Sequence, residues 1–203
     1  MKLIHNTKKA AMFGLDARIA LAIFGALSVI SGAALYSAIQ QAKTVSAVTE
    51  MNEIGKAWEQ FYLDTGVNPS KKSSNSADTE FYLLKTADFT DNPSINGWNG
   101  PYSTNGKATD SDFLKSQTFN NIVLTTLPDE SWNHWNTNLC TTGKKCFLWI
   151  LVNAGQNESL AKSIDEFIDG SDGNSAGNFR YYKASGDNYE LSLKYAPIAN
   201  PNY

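Results

Sequence analysis

The stretch "MFGLDARIALAIFGALSVISGAALYSAI", residues 12–39, decides the fold. From Ile19 to Ile39 it runs 21 residues without a charge, mostly Ala, Leu, Ile, Val and Gly. At ~1.5 Å rise per residue, a helix of that length matches the ~30 Å hydrocarbon core of a bilayer. A secretory signal peptide has a shorter apolar region, of ~7–15 residues, and ends at a small-residue cleavage site. The small residues of "SGAALYSAIQQA" (31–42) keep a long signal peptide open beside the membrane anchor.

Upstream, "MKLIHNTKKAA" (1–11) carries Lys2, Lys8 and Lys9 and no acid. Lysines there hold the N-terminus on the cytoplasmic side. The whole chain has net charge −3; without those three lysines, 14 basic residues face 20 acidic ones. A basic front and an acidic body fit an exported body and argue against nucleic-acid binding, which needs a basic face. Asp16 is what a plain anchor leaves unexplained. At the membrane edge its carboxylate reaches the headgroups, but buried in hydrocarbon it costs ~2.5–3.5 kcal/mol or more unless something pairs with it.

Downstream, the chain turns polar after Gln40 but keeps a helical rhythm. Val45, Val48, Met51, Ile54, Trp58, Phe61 and Tyr62 recur at intervals that define one apolar face. The helix is expected to run on to about Leu63 as an amphipathic segment (40–65) packed on a globular head (66–203). "DTGVNPS" (64–70) stops it with Gly66 and Pro69. "SKKSSNSADTE" (70–80) reads as a solvated loop, and "INGWNGPYSTNG" (95–106) is turn-rich. "NIVLTTL" (121–127) and "CFLWILV" (146–152) are apolar strands, while "FRYYK" (179–183) and "YELSLKY" (189–195) alternate. The turn "ASGDN" joins the last two, and "ESLAKSIDEFI" (158–168) is a short helix. The expected class is α+β: one long N-terminal helix on a small, mainly antiparallel sheet.

Two features of the head carry chemistry. Cys140 and Cys146 bracket "TTGKK", and two cysteines in an exported chain predict a disulfide. Zinc is disfavoured, since His5 and His134 are the only histidines. "SIDEFIDGSDGNSAGN" (163–178) concentrates Asp165, Glu166, Asp169, Asp172 and Asn174 among three glycines. Hard oxygen donors on a Gly-rich loop suit calcium, although the spacing is not that of an EF-hand. A solvated turn is the plainer reading of the same residues, and Asp187 is a further oxygen that can converge on them. Enzymatic motifs are missing: no G-x-S-x-G, H-E-x-x-H or phosphate loop occurs. His134, in "SWNHWN" between Trp132 and Trp135, reads as a packed or exposed ring. The chain is therefore expected not to be an enzyme. A tryptophan-lined groove for sugar or peptide, on a membrane-anchored periplasmic binding module, is the alternative.

The basic leader, "MFGLD" and "AIFG" (22–25) together resemble the type IV pilin and type II secretion pseudopilin superfamily. Members have a short basic leader, a cut, and a pattern like F-T-L-I-E opening a long apolar helix. A cut between Ala11 and Met12 puts Asp16 at the fifth mature position, where the family usually has Glu. A cut after Gly14 restores the family's usual Gly but puts Ile19 fifth, and a start at Met12 gives the same mature end as the first. The helix-kinking Pro of the family is absent. The resemblance implies an N-methylated mature terminus and a subunit that polymerises in the bacterial inner membrane, head in the periplasm or outside the cell. It implies that Asp16 neutralises the N-terminal amine of a neighbouring subunit. The implied partners are copies of itself or other pilin-like subunits, a prepilin peptidase and an inner-membrane assembly platform. "GWNGPY" (97–102) resembles the W-G-x-P-Y-like turn of major pseudopilins, which also bind calcium in an Asp-rich C-terminal loop. A pseudopilin is thus the first expectation, and an adhesive or minor pilin the second.

Overall fold

The charge-free run and the amphipathic run after it form one helix, α1, Thr7–Thr65. The computed structural model describes residues 7–116, 118–130, 134–137 and 139–202. The chain divides into two compact units, Met1–Ala42 and Lys43–Tyr203. In the first, every described side chain from Gly14 to Ile39 is exposed. Leu21, Phe24 and Val29 are at least 70% accessible. A helix apolar on all sides has no core of its own to enter and needs an apolar medium. Gly14–Thr65 holds an 18-residue window of mean hydropathy 2.1, enough by length and composition to cross a membrane; a signal sequence meets the same test.

In the second unit α1 changes character as its pattern does. Ala47, Met51, Ile54, Trp58 and Phe61 are buried, spaced by four and three. The helix ends two residues beyond Leu63, where Gly66 adopts a left-handed conformation and donates its N–H to the Tyr62 carbonyl (2.8 Å). The buried face lies on an antiparallel sheet of seven strands. These are β1 (Leu83–Leu84), β2 (Gly106–Lys107), β3 (Leu114–Lys115), β4 (Ile122–Pro128), β5 (Cys146–Asn153), β6 (Phe179–Lys183) and β7 (Tyr189–Ile198). Their order is β2-β3-β4-β5-β7-β6, with β1 added to β4. The α+β expectation holds, and the four long strands fall where the sequence places them.

Alternation sorts β5 into two faces. Leu148, Ile150 and Val152 join the core under α1, while Trp149 and Leu151 form a second cluster with Leu127 on the far face. That is why "CFLWILV" reads as a continuous apolar run. Between Leu148↔Ala196 and Trp149↔Lys194 the β5–β7 register slips by one residue, which leaves Tyr195 as the extra one. Its ring lies against Gly55 of α1, where a Cβ would sit 2.1 Å away, and meets Trp58 edge-on at 6.4 Å.

The "GWNGPY" turn closes on the end of α1. Trp98 Nε1 donates to the Asp88 carbonyl (2.9 Å). The Tyr102 hydroxyl donates to Asp64 Oδ2 (2.9 Å) and accepts from the Asn99 N–H (2.7 Å). Gly97 has φ +85°, and a Cβ there would lie 2.3 Å from the Asp64 carbonyl oxygen. Both the backbone conformation and the close approach require glycine. The motif thus has a structural duty: it clamps the helix C-terminus to the head.

Candidate functional site

The residues singled out at the start of the chain lie in the first unit. Ala11 and Met12 fall within α1, and their side chains lie outside the described residues. Asp16 is exposed and has no ion-pair partner among the described residues. Arg18 does not serve, because positions two apart point to different sides of a helix. The carboxylate is thus presented outward from an otherwise apolar surface.

The acidic loop lies in the second unit and is built by a helix end. α2 spans Glu158–Asp169. Asn157 caps its start, accepting from the Leu160 N–H (3.0 Å), and Gly170 caps its end at φ +72°. Leu160, Ala161, Ile164 and Asp165 form its buried side. Asp169 follows Asp165 by one turn, and Asp172 comes back from the loop. One oxygen from each of Asp165, Asp169 and Asp172 lies within 4.8 Å of the other two. Two unit charges at that distance repel by roughly 3 kcal/mol at an effective dielectric of 20.

What separates this group from an ordinary acidic surface is Asp165. It is 4% exposed, and its Oδ1 is buried without a hydrogen-bond partner among the described residues. The carboxyl accepts a backbone N–H from Gly173. Burial, with the Asp172 and Asp169 charges, pushes its pKa above the usual carboxylate range. Asp169 is tied down by the Phe179 N–H on Oδ2 (2.6 Å) and by Asn178 Nδ2 on Oδ1 (3.3 Å). Gly177, at φ +74°, leaves space for the trio: a Cβ there would come within 2.6 Å of carboxylate oxygens of both Asp169 and Asp172. An all-oxygen donor set with one orphaned buried oxygen fits a hard divalent cation. Asp165, Asp169 and Asp172 would hold it.

The other candidates separate from this group. Asn174 is exposed, and its backbone carbonyl accepts from the Tyr181 N–H (3.1 Å). Asp187 pairs with Lys183 (2.7 Å) in the β6–β7 turn and does not join the trio. Cys140 and Cys146 form the expected disulfide, with Cα atoms 6.0 Å apart. It is buried with Phe81 and Tyr82. Asn202 Nδ2 donates to the Cys140 carbonyl (2.7 Å), and Asn200 Nδ2 to the Thr141 carbonyl (2.8 Å). The bridge therefore fixes a loop on which the last residues of the chain are fastened. The His134 ring packs on Tyr182 at 4.1 Å between centroids, and Tyr182 donates its hydroxyl to Glu190. Trp132 lies outside the described residues.

Arg180 was not singled out by sequence. It is 2% exposed, stacks on Trp149 at 4.6 Å, and donates to the Glu130 (2.8 Å) and Asp129 (3.2 Å) carbonyls. Strict alternation in "FRYYK" places it on the face opposite Phe179, but only the tertiary fold supplies Trp149 and the carbonyls that bury it.

Compared with protein-family models, curated protein sequences and solved structures, the chain matches none. The long apolar N-terminal helix followed by an antiparallel sheet is consistent with a pilin-like fold.

Proposed function

We propose that this protein is a structural subunit of a filament assembled in the bacterial inner membrane, of the type II secretion pseudopilin kind, serving protein export across the outer membrane. Asp16 carries the reading: an acid presented from an apolar helix with no ion-pair partner among the described residues. A neighbouring copy trimmed between Ala11 and Met12 offers the missing cation, its free N-terminal amine. Pairing removes the cost of holding a carboxylate in hydrocarbon, so the same group disfavours the lone subunit in the membrane and favours the assembled one. The aspartate trio supports a pseudopilin over an adhesive or minor pilin, because the resemblance gives the major pseudopilins a calcium loop in the head. Calcium is the cation proposed for Asp165, Asp169 and Asp172.

Mass spectrometry of the N-terminal peptide from native membranes tests the reading. A terminus at Met12, N-methylated, is expected. A terminus at Leu15 displaces Asp16 from the fifth position, and one beyond Ala38 makes the apolar run a signal peptide and ends the proposal.

A further inference from the structure

A cavity of about 330 Å³ lies between the segment that follows α1, β1 and the end of β7. That volume sits at the low end of small-molecule pockets. Pro69, Leu84, Ile198 and Pro201 give it apolar walls, and Lys71 and Thr126 bring polar atoms to it. Lys71 is its one charged lining residue. The ammonium stands over the Phe81 ring, 3.4 Å from the centroid. Among the described residues no carboxylate lies within ion-pair distance of it.

The acids that might neutralise Lys71 are engaged elsewhere. Glu80 and Asp110 both pair with the adjacent Lys72. Asp88 accepts the Ser70 N–H (2.7 Å), and Asp78 accepts the Glu80 N–H (3.1 Å). Thr126 is 3% exposed, and its hydroxyl has no hydrogen-bond partner among the described residues. Asn68, also in the lining, spends its Oδ1 on Trp58 Nε1 (2.9 Å). That bond orients the amide and leaves its NH₂ as a further donor. The polar equipment is thus one cation and neutral donors around an apolar hollow.

We propose that this cavity binds a small carboxylate with an apolar body, the carboxylate paired with Lys71 and hydrogen-bonded by Thr126. A carboxylate matches a single ammonium in charge, and the desolvated setting strengthens the pair relative to water. A fully hydrated dianion such as phosphate has only one charge to meet and no use for the apolar walls. Burial already draws the Lys71 pKa below that of a free lysine, so a bound anion restores what the site lacks. The carboxylate can come from a free organic acid or from the C-terminal residue of a peptide. This proposal stands apart from the filament reading.

The test uses the full chain in detergent micelles, with the backbone amides of Lys71, Leu84 and Thr126 followed by NMR. The probes are benzoate, N-acetyl-leucine, benzyl alcohol and inorganic phosphate. Saturable shifts at those amides with benzoate or N-acetyl-leucine, and none with benzyl alcohol or phosphate, are expected. The tighter of the two binders tells a free acid from a peptide terminus. Lys71→Met keeps the stem over Phe81 and should weaken binding by about tenfold or more. Thr126→Val should weaken it less, with shifts in the rest of the sheet unchanged. No saturable shift with either carboxylate, equal binding of benzyl alcohol, or unaltered binding in both variants overturns the proposal.

Discussion

Asp165 shows how a single residue sets the chemistry of the head. Its carboxyl is buried for packing reasons, on the same side of α2 as Ala161 and Ile164, yet it retains an oxygen with nothing to bond. Such a group costs stability until a cation or a proton arrives. Binding to the native state stabilises it by RT ln(1 + [L]/Kd), so calcium at ~100 Kd should add ~2.7 kcal/mol. Melting of the full chain in excess calcium and in chelator should therefore differ, and Asp169→Ala with Asp172→Ala should abolish the difference. Identical melting, with no calcium found by elemental analysis, would leave the loop a solvated turn. Asp110 behaves oppositely. Its hydrogen bond from Lys72 holds its pKa below 3.8. A carboxylate with a depressed folded pKa contributes stability above its unfolded value and loses it as pH falls through the folded one. Wild type should accordingly outlast Asp110→Asn at neutral pH, and the gap should close below pH 3.8. Acid titrations of the two melting temperatures would show it.

At the scale of elements, the two clamps on the head make separable predictions. Gly97→Ala forces a Cβ onto the Asp64 carbonyl and a side chain into positive φ, which should cost on the order of 1–3 kcal/mol. Denaturant unfolding reads this directly, and an unchanged midpoint would contradict the clamp. Removing the Cys140–Cys146 bridge should cost roughly 2–3 kcal/mol for so short a loop. The chain end should then exchange amide hydrogens faster, since Asn200 and Asn202 rest on that loop. Which elements the sequence revealed follows from the same physics. α2 and the second part of α1 announce themselves through a 3.6 period, β6 and β7 through alternation, and the first part of α1, β4 and β5 through continuous apolar runs. β1, β2 and β3 are two residues each, too short to carry a period, and exist only through pairing with neighbouring strands. The acidic residues of the proposed cation site were legible as a cluster. Their convergence was not, because it depends on which side of α2 turns inward. The Lys71 cavity left no signal, being assembled from four separated segments.

For the whole molecule, one helical run serves two different surroundings. Its first part exposes apolar side chains on all sides with a lone acid near the start, and its second part contributes one side to the core of the head. A plain anchor gives Asp16 no role, whereas the proposed polymerising subunit gives it a partner. The residue is outside the second unit and has no ion-pair partner among the described residues, so replacing it should leave the head's melting unchanged while altering assembly. The most direct measurement is the amount of sheared or cross-linked filament in the native host carrying wild type, Asp16→Ala or Asp16→Glu at equal protein levels. The account predicts that Asp16→Ala loses filaments while its head melts as wild type, and that Asp16→Glu retains them. Normal filament yield from Asp16→Ala would contradict it.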